Sequence, residues 1–398
     1  MKVASIASGI VFLLTACSYQ TEGVVSAETS ASTDREMLQP VRAIELNVPE
    51  TLEDDGLGPG LHAFDISDNG HYLLSILGTR QPQGESYSFV NWLELYDVTT
   101  GELIHRDIPA GNTGEMISTG GFLGSGLYFV ESAGSESQRP SDIAASYVQV
   151  FSVDPQKELA RLSIGGVTHG RGQYLFTSAS RSVVNWKTQE SYSAQFYPRF
   201  GINLMTDEGA VLSTSMDGAI ALHNPVLDEL LQWESDLEAP RLLLTADDGY
   251  VVAQGDDFRC KVWKLPGIEE VDQCPRSFGS EGQKRATAMH PEKPLFALAW
   301  DEKVRLYNLD PFEMVQEIVI PDPVLGLFLT DNRLVIASRQ GLQVWGIEKA
   351  MLHAEAEVPI HHRDSVRVSH NGFVAIVLDQ DPDNPESAVR PVWIYELP

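Results

Sequence analysis

The side chains spaced for chemistry in this sequence are few, and the densest group is acidic. Asp379-Gln380-Asp381-Pro382-Asp383 sets three carboxylates at alternate positions, as calcium loops do. Such loops turn on Gly at the sixth position and close with Glu at the twelfth, where this chain has Asn384 and Arg390. The segment therefore reads as a solvated acidic loop. His361, His362 and His370 cluster in sequence, but no carboxylate stands at a helical metal spacing from them, so zinc is not expected. Cys260 and Cys274 lie equidistant from Gly267, the tip of a Leu265-Pro266-Gly267 turn. A hairpin centred there sets them on facing strands, with Cα atoms about 4.5–5.5 Å apart, which a disulfide spans. Without a Cys-x-x-Cys spacing, redox or metal chemistry is not expected of them. Gly120-Gly121 and Gly165-Gly166 read as turns, since neither leads from a strand into a helix and so neither makes a phosphate loop. Gly-x-Ser-x-Gly and His-Glu-x-x-His are both missing from the sequence. The residues thus assign no catalytic group, no metal and no cofactor.

The elements that would position any site are short strands. From Arg285 to Ile320 the chain reads RATAMHPEKPLFALAWDEKVRLYNLDPFEMVQEIVI. Ala286–Ala288, Leu295–Trp300, Val304–Leu309 and Met314–Ile320 are four strand signals, separated by the turn clusters His290–Pro294, Asp301–Lys303 and Asp310-Pro311. One such sheet cannot bury both faces, so sheets of this kind stack around a ring. The pattern recurs. An aromatic or His flanked by apolar residues marks the third strand at Tyr96, Phe151, Trp186, His223, Trp263, Tyr307, Trp345 and Tyr395. The gaps are 55, 35, 37, 40, 44, 38 and 50 residues, mostly close to the period of about 40–45 of a WD40 blade.

In AWDEKVRLYNLD and SMDGAIALHN above all, the chain resembles the WD40-like β-propellers, in degenerate form, from residue 41 to the end. The aromatic stands where WD40 repeats carry the Trp of Trp-Asp; only Tyr96-Asp97 keeps the acid, and no blade opens on the Gly-His of those repeats. The resemblance implies an all-β propeller. The count of blades is eight, with seven the alternative if blade three is an elaboration of its neighbours. The blades run Leu61–Ile108, Met116–Ile164, Val167–Phe196, Ile202–Trp233, Arg241–Phe278, Arg285–Ile320, Val324–Ile360 and Ser365–Leu397. The last has three strands, and Val41–Val48 is expected to supply its fourth and close the ring.

Residues 1–16 read as a signal peptide: Lys2, then an apolar run from Val3 to Leu14 too short to span a bilayer permanently. The run ends in Leu14-Thr15-Ala16-Cys17, which resembles the bacterial lipobox and implies acylation of Cys17. By the Gram-negative rule, Ser18 after the Cys implies the outer membrane, on its periplasmic face or at the cell surface. Residues 17–40 are rich in Ser, Thr, Glu and Ala and read as the lipidated Cys plus a flexible tether. A formal net charge of −28 argues against nucleic acid and against direct docking to anionic headgroups, leaving the lipid as the membrane contact.

Departures from the blade period locate a candidate working surface. Gly78–Asn91, Glu131–Ser146 and Asp379–Pro391 are insertions between second and third strands, expected as long polar loops. Blades eight, one and two are consecutive, so the three share one sector of one face. Function tends to sit on such connections above a rigid scaffold. Tyr87, Phe89, Gln138, Arg139, Asp379, Asp381 and Asp383 are the candidate contact residues, and envelope proteins the expected partners. A small-molecule or glycan binder using the same sector is the alternative, and a hydrolase or lyase with a channel metal the third reading. An eight-bladed lipoprotein of the outer-membrane β-barrel assembly machinery has a similar expected architecture. Its repeated Ala-x-Asp-x-x-x-Gly-x-x-x-Trp signature is missing here, and only Asp97–Gly101 resembles part of it.

Overall fold

Alternating apolar strands and tight turns assemble into eight sheets, each built on four antiparallel strands in sequence order apart from the last, and two of the sheets carry a fifth, parallel strand. The computed structural model describes residues 25–27, 36–52, 59–83, 86–108, 116–133, 146–194, 204–215, 217–238, 240–244, 249–255, 259–274, 286–300, 302–348, 351–362, 365–378 and 390–398, and among them there is no α-helix. Blade one comprises Gly60–Ile66, Tyr72–Gln83, Ser86–Asp97 and Leu103–Asp107. Blades two to seven open on the inner strands Met116–Phe122, Val167–Arg171, Leu204–Met205, Arg241–Leu244, Thr287–Met289 and Val324–Leu329. Blade eight opens on Val366–Val368. Blade three has four strands of its own, so the chain is an eight-bladed β-propeller.

The core is divided into eight apolar clusters, one between each pair of neighbouring blades. A single sheet would leave one of its faces wet; stacking in a ring dries both. The aromatic of each third strand is the anchor. Tyr96, Phe151, Trp186, Trp263, Tyr307, Trp345 and Tyr395 each belong to the cluster shared with the preceding blade. His223 takes the same strand position in blade four and is also buried. At five of these positions the register to the outer strand shifts, between Leu95/Tyr96, Val150/Phe151, Val262/Trp263, Leu306/Tyr307 and Val344/Trp345. A bulge raises local twist and re-aims a side chain, and here it recurs at the anchor. Two residues before four of the anchors a polar side chain reaches the outer strand: Glu94 to Arg106, Gln149 to Glu158, Lys261 to Glu270 and Arg305 to Glu317.

Polar contacts also tie every blade to the next. Blade one meets two through Phe122 N–H to Asp65 Oδ2 (3.1 Å), and blade two meets three through Val167 N–H to Glu131 Oε2 (2.9 Å). Arg171 pairs with Asp207 at 2.6 Å, Thr214 donates to the Pro240 carbonyl at 3.2 Å and Tyr250 donates to Asp310 at 2.7 Å. His290 Nε2 lies 3.2 Å from the Asp331 carbonyl, and Arg333 donates to the Pro398 carbonyl at 3.1 Å. His370 N–H to the Asp68 carbonyl (3.1 Å) joins blade eight to blade one.

The seam lies where the sequence puts it. Arg42–Leu46 is the outer strand of blade eight, antiparallel to Arg390–Glu396, with Arg42 opposite Ile394 and Leu46 opposite Arg390. Ile44 and Leu46 are 2% and 0% exposed, in the cluster between blades eight and one. Part of the stretch expected as tether is paired as well. Val25–Ala27 lies parallel to the outer strand of blade six, and Glu36–Met37 parallel to that of blade seven. Cys260 stands opposite Cys274 in blade five, in the register a hairpin about Gly267 requires; the side chain of Cys274 lies outside the described residues.

Candidate functional site: an extended ribbon on blade one

The first of the three insertions is not a loop. Where the sequence implies irregular chain from Gly78 to Asn91, the second and third strands of blade one continue in register from Tyr72 opposite Asp97 to Gln83 opposite Ser86. Among the described residues the inner strand pairs only as far as Gly60 opposite Gly78, and the outer strand only as far as Asp107 opposite Leu93. Beyond those points the two strands run on as a two-stranded ribbon. Ser86-Tyr87-Ser88-Phe89-Val90 alternates polar and apolar residues, which suits a ribbon. Among the described residues the ribbon has open edges, and Pro82 is tolerated where its absent N–H faces such an edge.

The base of the ribbon is fixed. Asn91 is buried and donates from Nδ2 to the Ile117 carbonyl of blade two at 3.1 Å. Gly78, opposite it, has no room for a side chain: a Cβ there would collide with the Asn91 carboxamide oxygen and lie 2.5 Å from His62 Nε2. Thr79 is also buried. Two residues further out Phe89 is 53% exposed, with the Arg80 guanidinium 5.5 Å from its ring centroid. An exposed ring held by a cation partner is a hydrophobic contact point with restricted rotamers.

The other two insertions leave from equivalent places. Blade two pairs up to Tyr147 opposite Ser132, next to Glu131, whose carboxylate is held by the Gly166 and Val167 amides. In blade eight Leu378 N–H meets the Pro391 carbonyl at 3.0 Å. Blades eight, one and two are consecutive, so the bases of all three insertions stand side by side on one face. Of the expected contact residues, Phe89 is described in full and Tyr87 only through its backbone, which pairs with Pro82. Gln138, Arg139, Asp379, Asp381 and Asp383 lie outside the described residues, as does Cys17.

A second concavity, of about 550 Å³, opens at the other end of the ring, where first strands turn into second strands. Asp68, Phe122, Arg171, Asp207, His290 and His370 contribute to its wall, from blades one, two, three, four, six and eight. The sequence does not single it out. Its signal was the repeated turn after each inner strand, such as Asp68-Asn69-Gly70, which a ring must point to one side. His290 is fully bonded there: Nδ1 accepts from the Glu292 and Lys293 amides at 3.0 and 2.9 Å, so Nε2 is the protonated nitrogen facing Asp331. Burial holds its pKa below the ordinary His range. Burial likewise pushes the Asp65 carboxyl up, against the lowering effect of the Phe122 amide. His361 and His362 precede the inner strand of blade eight and His370 follows it, so that strand separates them. Among the described residues no three His, Cys, Asp or Glu side chains group as metal ligands do.

The architecture defines the class, an eight-bladed β-propeller with one ribboned sector. No family model matches the chain, and no curated protein matches it. Among solved structures it is similar to a chain in the crystal structure of the mitotic checkpoint complex, with a TM-score of 0.47 and 13% identity, over 100% of this chain and 99% of that one.

Proposed function

We propose that this chain is a lipid-anchored, non-enzymatic propeller of the bacterial envelope that holds a protein partner on the sector of blades eight, one and two. The observation that carries this reading is the blade-one ribbon, which lifts the half-exposed Phe89 beyond the body while Asn91 fixes its base. The chain departs most from the blade plan in connections rather than in the channel wall. A rigid ring bearing one irregular sector suits recognition. Leu14–Cys17 supports acylation at Cys17, Ser18 supports the outer membrane, and the acidic body supports contact with lipid through the acyl chains alone. An oxidising compartment also suits a Cys260–Cys274 bridge. The 550 Å³ concavity at the opposite end favours a second reading, a small-molecule or glycan binder.

Replacing Tyr87, Phe89, Gln138 and Arg139 together tests the first reading. Partner recovery after cross-linking in intact cells is lost while the melting temperature stays unchanged; undiminished recovery contradicts the sector. Replacing Cys17 by Ala releases the protein from membranes, and continued membrane binding contradicts the anchor.

A further inference from the structure

The N-terminal stretch does more than close the ring. It laces the outer rim of three consecutive blades in order, with Val25–Ala27 on blade six, Glu36–Met37 on blade seven and Arg42–Leu46 on blade eight. The first two join sheets that already have four strands, so closure does not need them. Glu36 stands opposite Ala354, and Leu38 donates its N–H to the Glu355 carbonyl at 2.8 Å. The Leu38 side chain is 8% exposed and packs into the cluster between blades seven and eight. Adding a strand to an exposed edge occupies backbone groups that would otherwise face water, and needs no side-chain alternation to do so.

We infer that this strap holds the ring edge-on to a lipid surface, with the outer rim of blade six as the side that faces it. The inference rests on the reading of Cys17 as the acylated residue. Eight Cα steps separate Cys17 from Val25, which allows a reach of at most about 30 Å. A tether free as far as Val41 would have 24 steps and reach at most about 85 Å. Attachment at the rim leaves both ends of the channel open, so the blade-one ribbon and the opposite concavity are accessible together. The charge of −28 opposes adsorption to anionic headgroups. That repulsion is screened beyond about 8 Å at physiological salt, so a short linker can keep the rim near the surface without pressing it down.

The test compares the mature lipidated chain with its Leu38→Asp variant in two measurements. In hydrogen exchange the strap amides of residues 25–27 and 36–38 exchange at least tenfold more slowly than in an unstructured peptide. In Leu38→Asp they lose that protection while the Leu342 and Val344 amides keep theirs, which shows that the ring is intact. By neutron reflectometry on a supported bilayer, the wild-type body stands within the short reach and the variant moves outward. Unprotected strap amides in the wild type overturn the inference and leave acylation standing, and equal heights for the two proteins also overturn it. A protected strap on a chain without acyl mass at Cys17 overturns the anchor and, with it, the orientation.

Discussion

Glu131, on the second strand of blade two, accepts the backbone N–H of Val167, the first residue of the inner strand of blade three, at 2.9 Å. Its other carboxylate oxygen takes the Gly166 N–H at 2.7 Å, and the side chain is only 5% exposed. Here a carboxylate joins two blades through backbone groups. Glu131→Ala leaves both amides without their acceptor, at a cost on the order of 1–3 kcal/mol for each one left unsatisfied. Glu131→Gln keeps one acceptor oxygen and loses less. Urea unfolding of the three proteins checks the order wild type, Gln, Ala.

The clasp strand is expected to be as costly to damage as a core strand. Leu46 is 0% exposed and packs between blades eight and one. Leu46→Ala removes buried apolar volume that neighbours cannot refill, a loss of about 2–5 kcal/mol. The same change at the exposed Leu227 costs little. Thermal melts of both variants check the contrast.

Acid should loosen blade six by a defined route. Hydrogen bonds from Lys303 and then Arg305 hold the Glu317 carboxyl below its ordinary 4.5, against the opposing effect of burial. A carboxyl whose folded pKa is depressed contributes stability that is fully present above its unfolded pKa and is lost as pH falls through the folded value. Wild type therefore exceeds Glu317→Gln in stability at neutral pH, and the gap narrows as pH drops below 4.5. Denaturant midpoints across that range measure it.

The register of Cys260 against Cys274 is the one that a bridge closing this hairpin would need. Non-reducing peptide mapping should recover the two cysteines in one linked peptide. A loop of about 15 residues predicts about 3 kcal/mol of stabilisation, so reductant or Cys260→Ser lowers the melting temperature.

The eight blades were legible because their signals are local. Each third-strand aromatic from Tyr96 to Tyr395, apart from Trp186, follows an apolar residue and stands just before a polar residue or glycine, and each packs into the cluster shared with the preceding blade. The seam was legible because Val41–Val48 alternates like the outer strands. The ribbon was not, since Pro82, Gly84 and the Gln and Ser residues around them read as loop. Its strands persist because they extend a register set further in, by Leu77 opposite Trp92. The strap was hidden for another reason: strand addition at the rim uses backbone groups, and Ser-Thr-Glu-rich chain reads as tether whether or not it is paired. The polar residue two before the anchor could have been found by aligning the repeats on their aromatics, since Glu94, Gln149, Lys261, Arg305 and Gln343 then fall in one column.

Site-specific photo-cross-linking in intact cells tests the proposed working sector most directly, with the probe at position 89 on the ribbon and, as control, at the exposed Leu227 on the opposite face. One discrete protein adduct is expected from position 89 and none from position 227. No adduct at 89, or the same adducts from both positions, would contradict the sector.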